Sequence, residues 1–278
     1  MNVVEWCAKI FGSPDLKDKL LSVDLMTDFS FIEIKDFDFS FPNRSDDIKF
    51  SSKKIKFPKI DGFKDPRVRA KALAFFANHE LEAIEMMCAA IIKFGSMVPA
   101  IEFSKISRGI ISSIKDEQKH LSLYIGRIEE LNSSISEYSL NDFFWKQFHK
   151  LDSFDAFFSL MSLTLEAANL DFCLFYEKVF QSIGDYKTSG IMRQVYEDEI
   201  SHVKLGVFWL NKWRQDKSLW EYYLSHLPDK ISPERSKGIE FSIDSRKIVG
   251  LDSNYLTSLL NFSDTFLIPK RKTNNGIL

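Results

Sequence analysis

Two short strings decide how this chain reads: Asp116-Glu117-Gln118-Lys119-His120 and Asp198-Glu199-Ile200-Ser201-His202. Both are Asp-Glu-x-x-His. On an α-helix, residues three apart share a face, so each Glu and its His can approach one metal ion together. With 17 Glu and five His in the chain, composition predicts only roughly 0.3 chance Glu-x-x-His matches. Two matches, each preceded by Asp, exceed that.

Proline placement shows where such helices can run. None of the eight prolines falls between residues 100 and 227, and an interior proline costs a helix about 3 kcal/mol. A first helix is predicted from Asp65-Pro66, with proline in its favourable first-turn position. Its apolar stripe is Leu73, Phe76, Ala77, Ile84, Met87, Ile91 and Phe94. Further helices are predicted over about 103–131, 154–181 and 188–213. Short links at Gly95–Ala100 and Ser182–Tyr186 make two antiparallel pairs. A longer connection, about 132–153, separates the pairs and carries a small helix around Asn141–His149. The expected fold is all-α: a four-helix bundle over residues 66–227, with an N-terminal part (1–65) and a C-terminal extension (228–278). Residues 1–24 read as one or two short amphipathic helices. Phe29, Phe31, Phe37, Phe39 and Phe41, then Ile48, Phe50, Ile55 and Phe57, alternate with polar residues as extended segments do.

Composition agrees with a helical globular protein and excludes several functions. Of 278 residues, 45% are apolar and 26 are Phe, enough for a sizeable core. Gly and Pro are scarce, at 11 and 8. A net charge of −2 offers no general attraction for nucleic acid or an acidic membrane. The terminal run Lys270-Arg271-Lys272 reads as a solvated tail. Cys7, Cys88 and Cys173 are odd in number and widely spaced, which argues against a disulfide framework and a zinc ribbon. No uncharged apolar run approaches about 18 residues, and the N-terminus lacks a signal-peptide pattern, so a cytoplasmic protein is expected.

A site for two metals needs one inward carboxylate from each of the other two helices. The third helix offers Glu166, the only acidic residue between Asp155 and Asp171. The first offers Glu80, Glu82 and Glu85. Glu80 lies among Leu73, Phe76, Ala77, Ile84, Met87 and Ile91 at helical spacing and is preferred. Glu82 shares its face with Phe75, Asn78 and His79 and reads as boundary. Glu85 stays open, because it precedes Glu117 by 32 residues, much as Glu166 precedes Glu199 by 33. The candidate ligands are therefore Glu80, Glu117, His120, Glu166, Glu199 and His202. Four carboxylates balance two divalent cations, and the lack of thiolate favours iron or manganese. Asp116 and Asp198 are suited to take the free ring N–H of a ligating histidine. His79 reads as a boundary or supporting residue. Tyr124 and Tyr196 fall on the metal-facing sides of their helices, where tyrosine packs or donates hydrogen.

This order of Glu, Asp-Glu-x-x-His, Glu, Asp-Glu-x-x-His resembles the ferritin-like di-iron superfamily. That group includes ferritins, rubrerythrins and the bacterial tRNA-hydroxylating enzymes. His79-Glu80-Leu81-Glu82-Ala83-Ile84-Glu85, Leu165-Glu166-Ala167 and Asp198-Glu199-Ile200-Ser201-His202-Val203 resemble a bacterial ferritin-like family of unknown function. Lys237-Gly238-Ile239-Glu240-Phe241 is similar to that family's C-terminal segment. The resemblance implies an oxygen-reactive bimetallic centre without naming a substrate. The leading expectation is a di-iron oxidase or oxygenase that uses O2, a small-molecule substrate and an electron donor, as a monomer or dimer. The alternatives are a ferroxidase or iron store, and a metal-free helical scaffold. RNA hydroxylation is disfavoured by the missing basic stripe.

Overall fold

A computed structural model describes residues 1–51 and 56–264. Ile55, Pro269 and the run Lys270-Arg271-Lys272 lie outside the described residues. Among the described residues, the chain is helical without a strand; only isolated bridges occur, Asn2 with Asp28 and Phe50 with Leu140. Two compact units divide it, residues 1–154 and 155–278.

In the first unit, α1 (Val3–Gly12) is capped by Asn2, whose side chain accepts from the Val4 N–H, and α2 (Leu16–Lys19) comes next. The two long helices are α3 (Pro66–Phe94) and α4 (Ala100–Glu130). Asp65 caps α3 by accepting from the Arg67 N–H, and Pro66 takes the first turn as the sequence predicts. A connection of only five residues folds α4 back along α3. The arm of residues 28–50, expected to be extended, is irregular, with turns at 35–36 and 46–48, and builds no ladder. Its aromatic residues pack side-on instead: Phe37 and Phe39 meet Phe11, and Phe31 lies edge-on to Phe103. The short α5 (Phe143–Phe148) adds Trp145, which is fully buried against Phe11 and Phe148.

In the second unit, α6 (Phe154–Leu160) runs through a π-helical stretch, Met161–Glu166, into α7 (Ala167–Ser182). The sequence gives no warning of this wide turn. Its pattern is visible at Ala167, whose N–H donates to the Ser162 carbonyl five residues back. α8 (Tyr186–Trp213) packs on the π stretch and on α7. Gly206 makes that approach possible, since a Cβ there would stand 2.3 Å from the Ser162 Cβ. The helices α9 (Leu219–His226), α10 (Ile243–Ile248) and α11 (Ser253–Asn261) complete the unit. The span Phe154–Ser182 is long and apolar enough to cross a membrane, with an 18-residue window of mean hydropathy 1.3, yet 83% of that window is buried. A core helix has the same character.

Candidate metal centre

The first unit gathers three of the six candidates. Glu80 projects from α3, and Glu117 and His120 from α4, and all three are buried. One ligand atom from each lies within 4.8 Å of the other two. The His120 Nδ1 is 3.3 Å from Glu117 Oε2. Two carboxylates and an imidazole enclosed so closely form an oxygen–nitrogen donor set suited to a divalent cation. Crowding two carboxylates away from water is costly, and a bound cation would offset that cost. The residues therefore fit a metal.

The second unit repeats the Glu–His pair. Glu199 and His202 are fully buried on α8, with His202 Nδ1 again 3.3 Å from Glu199 Oε2. Glu166, 4% exposed, ends the π stretch that packs against α8. Asn169 Nδ2 donates to Glu199 Oε1 at 2.8 Å. Asn169 did not stand out in the sequence. Its position three residues after Glu166, on the same helical face, is the signal that points to it.

Other candidates take different places. Glu85, kept open as the first-helix ligand, is corrected: it is fully buried but held by Lys19 Nζ at 3.0 Å and by the Arg44 guanidinium at 2.6 Å. Glu82 is not a boundary residue. Nothing of it is exposed; Asn78 Nδ2 donates to Oε1 and the Trp145 N–H to Oε2. Burial pushes its carboxyl up to about 8, against the pull of Arg44. A helical wheel misses this because the cover comes from residues 44 and 145, far away in sequence. His79 stacks on Phe144, and burial pulls its imidazole down to about 4.

Tyr124 is buried, its ring 5.7 Å from that of Phe76. The Tyr196 hydroxyl is hydrogen-bonded to Ser245 Oγ at 2.9 Å, which ties it to the C-terminal segment. Asp116 and Asp198 are half-buried. Asp116 stands 4.0 Å from Lys119 Nζ, and Asp198 accepts from the Gln194 amide.

An all-helical chain that buries a Glu–His pair in each of two helical hairpins is the class of protein these features define. A family model described as "Protein of unknown function (DUF455)" matches residues 12–257, and the chain belongs to that family. No curated protein and no solved structure matches it.

Proposed function

We propose that the chain is a ferritin-like four-helix protein acting as a non-haem di-iron oxidase or oxygenase. Glu80, Glu117, His120, Glu166, Glu199 and His202 are its metal ligands. One observation carries the reading: Glu80, Glu117 and His120 offer ligand atoms within 4.8 Å of one another while buried. The identical 3.3 Å spacing of the Glu199–His202 pair supports extending it to the second hairpin. When bound, iron supplies the electrons and the open coordination positions that dioxygen chemistry requires.

The protein's own groups have separate tasks. Four glutamates balance two divalent charges, and manganese is the alternative to iron on the same donors. His120 and His202 would each hold the metal through one ring nitrogen, leaving the other N–H for an acceptor. Asp116 and Asp198, each directly before a ligand glutamate, are suited to accept that N–H and fix the tautomer. Asn169 holds one oxygen of Glu199 in place and leaves the other for the metal. All six ligands are themselves buried, which keeps water from them and directs oxidising power at substrate. The substrate is a small molecule, and an external donor restores the ferrous state.

The test is metal analysis, then anaerobic ferrous loading and exposure to oxygen. Close to two irons per chain are expected, with an oxygen-dependent absorbance change absent from Glu117→Ala. Fewer than about one iron per chain, or no response to oxygen, overturns the reading. Light scattering separates it from storage, which requires a large hollow assembly.

A further inference from the structure

Five residues beyond each proposed first-helix ligand stands a second buried acid: Glu85 after Glu80, and Asp171 after Glu166. Each is gripped by a buried arginine from a terminal segment. Arg44, 2% exposed at its side chain, directs Nε and Nη2 at the Glu85 carboxylate, with a closest approach of 2.6 Å. Its Nη1 donates to the Ile48 carbonyl and to Asn78, and its guanidinium lies 3.9 Å over the Phe50 ring. Arg246 is built alike. Nη1 and Nη2 take the two Asp171 oxygens at 2.6 and 2.9 Å. Nη2 also donates to the carbonyls of Ser236 and of Ala167, the residue after Glu166, and the guanidinium lies 4.0 Å over Phe241. Asp171 further accepts the N–H groups of Gly238 and Ser242. A Cβ at Gly238 would stand 2.4 Å from the Asp171 Cβ, so this seat requires glycine.

Five residues along an α-helix turn its face by about 140° and advance it about 7.5 Å. A grip at that position leaves the ligand face free and still fixes how the helix is rotated about its axis. Buried ion pairs seldom stabilise a fold more than apolar residues of the same volume would. Stability therefore does not account for the same device at the same spacing on both ligand helices; orientation does.

The second helix has a further hold. Thr164, in the π stretch, donates its only hydroxyl hydrogen to the Ser159 carbonyl five residues back, at 2.8 Å. The 2.9 Å contact between Thr164 Oγ1 and the Tyr223 hydroxyl is therefore one in which Tyr223 donates. Tyr223, on α9, pins the wide turn two residues before Glu166.

We propose that Arg44 and Arg246, acting through Glu85 and Asp171, are positioning residues that set the rotation of the two ligand helices. Tyr223, acting through Thr164, fixes the π turn that presents Glu166. The inference rests on the reading of Glu80 and Glu166 as metal ligands.

Cobalt(II) is the probe, because its visible spectrum reports ligand number and geometry. Its binding to the full chain is titrated for wild type, Arg44→Lys, Tyr223→Phe, the paired change Asp171→Leu with Arg246→Met, and the ligand changes Glu80→Ala and Glu166→Ala. Arg44→Lys keeps the charge and removes the fork; the paired change removes both charges together, which avoids leaving one of them stranded. Tyr222→Phe, which loses a neighbouring hydrogen bond to Asp155, is the control. Tyr223→Phe and the paired change should weaken one cobalt equivalent tenfold or more and move the spectrum toward that of Glu166→Ala. Arg44→Lys should move it toward that of Glu80→Ala, and Tyr222→Phe should alter melting alone.

Wild-type spectra and affinities throughout, whatever the melting temperatures, overturn the inference. A wild-type chain that binds no cobalt overturns instead the metal reading on which it rests. Amide exchange of residues 159–167 in the metal-free protein then decides the π turn: at least tenfold faster exchange in Tyr223→Phe than in Tyr222→Phe is expected, and equal exchange refutes it.

Discussion

The two hairpins present the same donors on different backbones. In the first, Glu80 sits within an unbroken 29-residue helix. In the second, Glu166 closes a π turn of six residues. An unbroken helix presents a side chain wherever its register happens to point. A π turn inserts extra backbone and re-aims the side chains beyond it, while disturbing the regular hydrogen bonding. That disturbance explains the company the turn keeps: Gly206 gives it room, and Tyr223 supplies a hydrogen bond. The first hairpin has no such turn to support, and its arm instead adds Lys19 to Arg44 around Glu85. Similar donor sets can thus be reached by register alone or by local distortion with local support.

The comparison can be broken experimentally. If the two arginine grips are equivalent, Arg44→Met and Arg246→Met should each cost about 3–5 kcal/mol in denaturant unfolding, because each strands a buried carboxylate. A loss in one variant only would end the equivalence. Metal should bind the folded chain alone, so chelation should lower stability by about 2.7 kcal/mol relative to protein at a free metal concentration a hundred times Kd. The comparison of melting with and without chelator checks this, and Glu117→Ala should abolish the difference.

Glycines on the second helix of each hairpin should behave oppositely. Gly206→Ala drives a methyl into Ser162 and should cost about 1–3 kcal/mol. Gly126→Ala, on α4, meets nothing within 4 Å and should stabilise the chain by about 0.5–1 kcal/mol. Equal signs in the two melts would mean that the close approach at the π turn is not under constraint.

Much of the helical framework was legible in the sequence, because its signals are local. Pro66 and Asp65 mark where α3 starts, and the proline-free interval leaves room for the later long helices. Glu–His spacing is local too, and it singled out the buried pairs on α4 and α8. The rest depends on partners distant in sequence. Nothing around Glu82 or Glu85 announces that residues 19, 44 and 145 cover them. Arg246 meets Asp171 across 75 residues. The Phe alternation of the arm predicted extended backbone, but a ladder needs a partner strand; the arm is irregular, with turns at 35–36 and 46–48, and its rings pack on helices instead. The π turn was invisible because Met161-Ser162-Leu163-Thr164-Leu165 suits an ordinary helix; the distortion is upheld by Gly206 and Tyr223, on later helices.

The two arginines also differ in when they emerge during translation. Arg44 leaves the ribosome before the helix it grips, so α3 finds its counter-charge already waiting. Asp171 must wait for 75 further residues to be made. Until then its carboxylate has no guanidinium, and a message cut short before codon 246 yields a chain whose second hairpin cannot close its interior without stranding a charge. Synthesis past residue 246 thereby becomes a condition for the second unit to settle, and shorter nascent fragments remain open to proteolysis.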